Sequence, residues 1–304
     1  MKKTVWTGIL SALVVVGFTA GCASQGEAAP SAEATGEAVD LGVPLPADIA
    51  DRGHFNVGVK CDYPPFGYID ENDENAGYEI SFARGLAAQA FGDPDAVEFE
   101  CVSAANRVSM LTNGRIDMLI ATLGKTPDRE EVMTYSARPY FLSGHSILVQ
   151  GDSDIDSWED LQGETVISLT GSTGTQVLQS CFTGIGVQEY ESVSDALMAL
   201  GQDRGVAFVY DTSFFAGLIP NNDQYSLVDS SIGPNGAGIG VDKGNTELQA
   251  WIDAAMDALT EEDQFWGFFT EWVDNEEVVA AFEGMIPRQD APLEWPEVAP
   301  EVAC

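Results

Sequence analysis

The sequence is short of positive charge. Its 304 residues hold 13 Lys and Arg against 49 Asp and Glu, a formal net charge of −36 at pH 7. A protein that binds the phosphate backbone of nucleic acid needs a surplus of cations on at least one face. Nucleic acid is therefore excluded as an expected partner, and the acidity describes a well-solvated surface rather than a fold.

Metal-binding patterns are also missing. The two histidines, His54 and His145, are far apart in the sequence, and the chain has no Cys-x-x-Cys motif. Structural metal sites usually take several such ligands at close spacing. We therefore expect no metal and no cofactor, and we predict structural roles for both histidines.

The sequence has one long apolar segment, Val5–Ala20, which follows Lys2 and Lys3. This pattern predicts a secretory signal over residues 1–21, since the segment is short for a membrane-spanning helix. The residues up to Cys22 (Thr19-Ala20-Gly21-Cys22) resemble a bacterial lipobox, which implies lipidation of Cys22. Ordinary cleavage without a lipid is the alternative. The resemblance predicts a protein anchored by lipid on the extracellular or periplasmic side of the cell membrane.

Residues 22–46 are rich in Ala, Glu, Ser and Gly and have few large apolar side chains, which predicts a flexible linker. The remaining chain is long enough for two lobes. We assign lobe 1 to residues 47–144 plus 238–304 and lobe 2 to residues 145–237.

Four cysteines follow Cys22, and an exported chain is expected to oxidise them. Cys61 and Cys101 each lie at the end of a predicted strand, so a bridge between them is plausible, with Cys181 and Cys304 as the other pair. Four cysteines allow three pairings, and the sequence does not choose among them.

The apolar spacing predicts an α/β fold. The first half alternates strands and helices, which indicates a parallel sheet whose ligand would bind beyond the carboxyl ends of the strands. Its predicted elements are the strands Phe55–Lys60, Val97–Val102 and Met118–Leu123 and the helices Tyr78–Phe91 and Ala105–Asn113. A second α/β set follows, with a tight turn at 171–175 leading into a helix Gln176–Phe182, and Gly236–Val241 as a return crossover.

The segment around Arg129 predicts an anion site. Thr126 and Pro127 are typical of a helix start, and they follow the buried strand that ends at Leu123. Arg129 falls in the first helical turn, where a cation is slightly unfavourable unless an anion accompanies it. Thr122, backbone N–H groups near Gly124 and Arg129 could hold one carboxylate together. The alternative is a surface arginine paired with a scaffold acid.

These motifs, in this order, resemble the family 3 extracellular solute-binding proteins, the polar amino-acid receptors of ABC importers, and among them the glutamate- and aspartate-binding members. The segments that carry the resemblance are Tyr63–Phe66, Gly77–Ile80, Asn113–Asp117, Thr126–Arg129, Tyr135–Tyr140, Gly171–Thr173 and Tyr210-Asp211. The resemblance implies a two-lobed periplasmic-binding-protein fold of type II, with parallel-rich sheets and two crossovers between the lobes. It also implies a non-catalytic monomer that binds a free amino acid and delivers it to a membrane permease.

The resemblance further implies the roles of individual residues. Arg129 would clamp the α-carboxylate of the ligand, and Asp211 would pair with its α-ammonium group. The residues around these two would be Thr122, the Gly124 backbone, Thr173 and, along the ligand's flank, Tyr63. Gly124 departs from the family pattern, where Ser or Thr is usual, so one hydroxyl donor is lost.

Lys60 and Arg107 resemble cations that bind a side-chain carboxylate in relatives specific for acidic amino acids. A cleft with three cations and few nearby acids would be unbalanced by a neutral ligand, so we predict glutamate or aspartate. The alternatives are a solvated Lys60, an Arg107 paired with a scaffold acid such as Glu79 or Asp117, and another polar ligand such as glutamine or cysteine.

Two other functions are weaker alternatives. Some dehydratases share this fold, but they need a general acid or base, for which Glu79 and the histidines are the candidates. A detached sensory module would be expected to continue into a membrane helix, and no second apolar span follows in this sequence.

Overall fold

The computed structural model describes residues 36–219 and 222–296. They form two five-stranded sheets and a small three-stranded sheet. In chain order the strands are β1 (Phe55–Val59), β2 (Asp62–Tyr63), β3 (Gly67–Ile69), β4 (Asn75–Ala76), β5 (Val97–Cys101), β6 (Met118–Ile120), β7 (Met133–Tyr135), β8 (Phe141–Gln150), β9 (Thr165–Leu169), β10 (Gly186–Tyr190), β11 (Ala207–Asp211), β12 (Tyr225–Ala237) and β13 (Gly240–Asp242).

One described helix precedes β1, and the others connect the strands or follow the last of them. They are α1 (Ala47–Arg52), α2 (Tyr78–Phe91), α3 (Arg107–Thr112), α4 (Pro127–Val132), α5 (Thr173–Cys181), α6 (Val193–Leu200), α7 (Thr212–Leu218), α8 (Thr246–Glu261), α9 (Gln264–Thr270) and α10 (Glu276–Ala281). Within the described residues, no helix combines the length and the apolar character that crossing a membrane requires.

The first lobe is built around the sheet β5-β1-β6-β13-β7. β1 runs parallel to both β5 and β6, whereas β13 is antiparallel to β6 and to β7. The carboxyl ends of β1, β5 and β6 therefore share one edge of the sheet. α2, α8 and α9 cover one side of this lobe, where Phe82 packs on Phe265 with ring centroids 4.9 Å apart.

The second lobe is built around the sheet β10-β9-β11-β8-β12. β9 is parallel to β10 and β11, and β8 runs antiparallel to β11 and β12. This sheet begins at Phe141 and ends at Ala237, so its first strand starts before residue 145. The predicted α/β class with parallel-containing sheets is confirmed.

Two short connections join the sheets, residues 136–140 and residues 238–239. Trp295 lies against both of them. Its Nε1–H donates to the Ser136 carbonyl at 3.1 Å, and a Cβ placed on Gly238 would meet its ring at 2.5 Å. The same ring packs edge-on against Tyr135, with centroids 5.6 Å apart.

The local sequence explains where helices α4 and α5 begin. Thr126 caps α4 by accepting a hydrogen bond from the Arg129 backbone N–H at 3.4 Å, and Pro127 follows it. Ser172 caps α5 in the same way, accepting from Thr175 N–H at 3.1 Å. The cap makes α5 start at Thr173, so the predicted helix start at Gln176 was wrong.

Part of the predicted flexible linker is packed. Gly36 N–H donates to the Gly92 carbonyl and Val39 N–H to the Gln89 carbonyl, so residues 36–39 follow the end of α2. Leu41, Val43 and Leu45 are partly buried against the core of the first lobe. The linker prediction is therefore wrong for residues 36–45, and its part before residue 36, with Cys22 and the signal segment, lies outside the described residues.

Cys61 and Cys101 form a disulfide bond. It joins the chain just after β1 to the end of β5, since Val59 and Cys101 are partners in the parallel register. Cys304 lies outside the described residues, so its pairing with Cys181 stays a prediction.

Candidate functional site

The carboxyl ends of the two sheets face each other across a cleft. Residues of the two lobes contact each other directly there. Arg129 in the first lobe donates from Nη2 to the Gly171 carbonyl in the second at 2.8 Å. Gly171 has φ +72°, and a Cβ there would lie 2.8 Å from the Ala104 carbonyl oxygen. Only glycine combines this backbone conformation with so close an approach.

Arg129 lies at the centre of the cleft and is buried, with 7% of its surface exposed. Besides Gly171, its guanidinium donates from Nη1 to the Gly124 carbonyl at 2.6 Å. Burial, and after it the charge of Arg107, lowers the pKa of Arg129 to about 10. The guanidinium therefore stays charged at neutral pH while its two hydrogen-bond acceptors are neutral carbonyls.

Asp211 ends β11 and reaches the same cleft from the second lobe. Its Oδ2 accepts a long hydrogen bond from the Tyr63 hydroxyl at 3.4 Å, and its Oδ1 has no hydrogen-bond partner among the described residues. Burial raises the pKa of this carboxyl, and the charges of Arg107 and Arg129 oppose that shift. Tyr63 is itself fully buried and is held by Ser213 at 2.8 Å between the hydroxyl oxygens.

Thr173 begins α5 opposite Arg129 and is the centre of a polar cluster. Its Oγ1 lies 2.9 Å from His145 Nε2 and accepts a hydrogen bond from Asn235 Nδ2 at 3.2 Å. His145 Nε2 is also 3.6 Å from Asp211 Oδ1. Burial lowers the pKa of His145, so we take the imidazole as neutral at neutral pH. His145 Nε2 is therefore within hydrogen-bond distance of Thr173 but not of Asp211.

Thr122 follows β6 in a strained conformation, with φ +48°. A positive φ is unfavourable for a β-branched residue and persists only where neighbours hold it. Glu79 Oε1 accepts from Thr122 N–H at 2.6 Å and also from the Tyr140 hydroxyl. These contacts leave Thr122 Oγ1 buried and without a partner among the described residues. The strained turn thus keeps a hydroxyl available beside Arg107.

Arg107 begins α3 and is buried, with 3% of its surface exposed. Its Nη1 donates to the carbonyls of Ala121 and Thr122, and its Nε has no hydrogen-bond partner among the described residues. None of the carboxylates in the described chain forms an ion pair with it. Of the two scaffold partners considered for it, Asp117 instead binds Arg52, and Glu79 is close enough for the charge of Arg107 to lower the pKa of its carboxyl.

Lys60 is 2% exposed, so the alternative of a solvated lysine is wrong. Its Nζ lies 2.7 Å from Asp62 Oδ1. Cys61, in a bend just after β1, separates the two residues, so the pair is local in the sequence. Asp62 and Glu79 both lie near the cations, so the expectation of few nearby acids was wrong. Of the three cations, Arg107 and Arg129 are the two whose hydrogen bonds go to neutral carbonyls.

The predicted ligand-binding residues thus come together: Arg129, Asp211, Thr122, Gly124, Thr173, Arg107, Lys60 and Tyr63 all lie at the facing ends of the two sheets. Three neighbours of the cleft were not predicted as ligand-site residues: Glu79 and His145, which were considered only in other roles, and Asn235, which was not considered. The first enters from α2, and the other two come from β8 and β12, which lie far along the chain from the motifs they touch.

Glu79 predicts a distinct pH dependence of stability. Burial raises the pKa of its carboxyl from 4.5 to about 7. Between these values the folded protein keeps the proton while the unfolded chain has lost it, so the free energy of unfolding falls as pH rises through this window. The difference corresponds to roughly 3 kcal/mol, which levels off above pH 7.

Melting curves of wild type and Glu79→Gln between pH 4.5 and pH 8 measure this effect. Glutamine does not titrate, so we expect the melting temperature of the variant to improve relative to wild type as pH rises. Glu191→Gln, at an exposed position, is the matched control and should show a constant difference. A constant difference for Glu79→Gln as well would contradict the raised pKa.

Residues 55–275 match the family of bacterial extracellular solute-binding proteins, family 3. The chain belongs to this family. The resemblance found in the sequence motifs is therefore confirmed, as is the two-lobed fold.

Relatives of this family 3 solute-binding protein are named as binding proteins for particular amino acids. A glutamine-binding protein of Geobacillus stearothermophilus is 33% identical over 246 residues, covering 79% of this chain and 94% of that protein. A glutamate-binding protein of Corynebacterium efficiens is 28% identical over 235 residues, 73% of this chain and 79% of that protein. The crystal structure of a cysteine-binding protein from Campylobacter jejuni has a TM-score of 0.72 and 30% identity, covering 75% of this chain and 92% of that one.

Proposed function

We propose that this amino-acid-binding protein of an ABC importer takes an acidic amino acid, glutamate or aspartate, in the cleft between its lobes. The observation that carries the proposal is the state of Arg107. A buried guanidinium with neutral carbonyl acceptors and an unpartnered Nε is costly unless an anion accompanies it. A side-chain carboxylate of the ligand supplies that anion.

The head group of the ligand is held by residues of both lobes. The α-carboxylate binds Arg129, whose planar guanidinium suits bidentate recognition, with Thr122 and Thr173 beside it. The α-ammonium binds Asp211, whose Oδ1 has no other hydrogen bond among the described residues. Arg129 belongs to the first lobe and Asp211 to the second, so a single zwitterion bridges them and favours the closed arrangement.

Glutamine is the second candidate, and specific contacts favour it. Asp62 already balances Lys60, and Glu79 lies close enough to Arg107 for the positive charge to lower the pKa of that carboxyl. A neutral amide could then satisfy Arg107 with its carbonyl oxygen and Glu79 with its N–H groups. The glutamine-binding relative of G. stearothermophilus fits this alternative. The two candidates differ in whether Arg107 meets a charged oxygen.

The place of the protein in the cell is part of the proposal. Signal cleavage after Gly21 and a lipid on Cys22 would hold it outside the membrane, where it delivers its ligand to a permease as a non-catalytic monomer. The apolar stretch Val5–Ala20 and the lipobox-like residues support this role. Metabolic labelling with a radioactive fatty acid, with Cys22→Ala as the control, tests the lipid directly.

A ligand screen tests the function. Purified protein is melted with each of the common amino acids, and the ligands that raise the melting temperature are taken to calorimetry. A ligand at about 100 times its Kd adds about 2.7 kcal/mol to the free energy of unfolding if it binds only the folded state. We expect glutamate or aspartate to give the largest shift. Tight binding of glutamine with none of glutamate would contradict the acidic ligand, and no shift with any amino acid would contradict the receptor function.

A further inference from the structure

Asn235 occupies the space that a side chain at position 124 would fill. A Cβ built on Gly124 would lie 2.5 Å from Asn235 Nδ2 and 2.7 Å from Asn235 Oδ1. Real Cβ atoms do not approach other atoms so closely. The placement follows from the backbone, because Gly124 forms an antiparallel bridge with Ala237, two residues beyond Asn235. The Asn235 amide therefore fits in the cleft only because Gly124 has no side chain.

The Asn235 amide lies between the groups that surround the ligand carboxylate. On one side, the carbonyl of Gly124 accepts a hydrogen bond from Arg129 Nη1 at 2.6 Å. On the other side, Asn235 Nδ2 donates to Thr173 Oγ1 at 3.2 Å. The amide nitrogen of Asn carries two hydrogens. Among the described residues, the Thr173 contact uses one of them, and the side chain is only half-buried.

We infer that Asn235 is a ligand-contacting residue that donates its second Nδ2–H to the α-carboxylate held by Arg129. This inference rests on the proposed function. Gly124 has no hydroxyl to offer that carboxylate, and Asn235 supplies the donor from the neighbouring strand. The backbone bridge from Gly124 to Ala237 holds Asn235 beside the first lobe, and its Nδ2 bonds Thr173 of the second, so this donor is in place for every amino-acid ligand.

A swap of the two positions tests the inference. Calorimetry with the amino acid selected by the screen is carried out on wild type, Asn235→Ala, Gly124→Ser and the double variant. Loss of a hydrogen bond to a charged group predicts a Kd about tenfold to a hundredfold higher for Asn235→Ala. Gly124→Ser alone should also weaken binding, because its Cβ collides with the amide. The double variant removes the collision and restores a hydroxyl donor, so its Kd should recover to within a few-fold of wild type.

Asn235→Leu separates a donor from a space-filling residue. Leucine has a similar size and shape, carries no charge and has no N–H to donate. A donor role predicts binding as weak as in Asn235→Ala, whereas a space-filling role predicts binding close to wild type. Asn113→Ala and Gly267→Ser, at exposed positions with open space at Gly267, are the matched controls.

The outcomes distinguish this inference from the function on which it rests. Unchanged binding by Asn235→Ala, or effects of the two single changes that simply multiply in the double variant, would overturn the role of Asn235 and leave the receptor function intact. Failure of wild type to bind any amino acid would overturn both. Melting temperatures of the ligand-free variants confirm that each protein is folded.

Discussion

Arg129→Ala is expected to abolish measurable binding of every amino acid. The guanidinium is the buried cation placed opposite Asp211, and it holds the Gly124 and Gly171 carbonyls on either side of the cleft. Without it the ligand's α-carboxylate would be buried with no counter-charge, which costs several kcal/mol. The expected loss is therefore on the order of 3–5 kcal/mol, at least two orders of magnitude in Kd. Calorimetry with glutamate, aspartate and glutamine measures it.

Two further variants make the result specific. Arg129→Lys keeps the charge but loses the two-pronged geometry, and we expect it to bind measurably but more weakly than wild type. Arg204→Ala removes an exposed arginine of the second lobe and should leave binding unchanged. Circular dichroism and the melting temperature establish that Arg129→Ala is folded. A folded Arg129→Ala that still binds an amino acid would show that the carboxylate clamp is elsewhere.

Arg107→Ala is expected to remove the preference for an acidic ligand. In the proposed complex Arg107 pairs with the side-chain carboxylate, so its loss leaves that carboxylate buried and unpaired, at a cost on the order of 3–5 kcal/mol. The decisive measurement is the ratio of glutamate to glutamine affinity. Arg107 also holds the Ala121 and Thr122 carbonyls, so any structural damage lowers both affinities together. Loss of the charge pair lowers the glutamate affinity far more.

Arg115→Ala is the matched control for this experiment, because Arg115 lies exposed beyond the end of α3. It should leave both affinities at their wild-type values. An unchanged ratio of glutamate affinity to glutamine affinity in Arg107→Ala would show that Arg107 does not contact the ligand side chain. The proposal of an acidic ligand would then lose its main support.

The sequence predicts those elements well whose residues carry a local signal. α2 has the predicted bounds, since apolar spacing continues from Tyr78 to Phe91 and a glycine ends it at position 92. β6 is shorter than the predicted strand Met118–Leu123, because Thr122 turns to a positive φ. The apolar run there reflects burial on all sides, which periodicity cannot tell from strand pairing. The small sheet of β2, β3 and β4 was not predicted, because two- and three-residue strands have no period to detect.

The cleft shows the same division. Asp211 at the end of β11 and Arg129 in the helix that follows β6 could be found, because βαβ topology brings the strand ends to one edge. Glu79 and Asn235 could not, because their roles depend on which side chain fills the space beside Thr122 and beside Gly124. That information is in the three-dimensional packing of segments distant in sequence. The sequence around position 124 shows only that a hydroxyl is missing. The residue proposed to compensate for it, Asn235, lies on another strand.

The last described residues lie outside the stretch that matches the family, residues 55–275, yet Trp295 rests on both connections between the sheets. Opening the cleft must change backbone torsions in those connections, and the indole has to move or deform with them. The segment around Trp295 therefore moves together with the two connections between the sheets. A change in the angle between the two sheets therefore also disturbs the packing of a C-terminal segment that lies outside the part of the chain matched by the family.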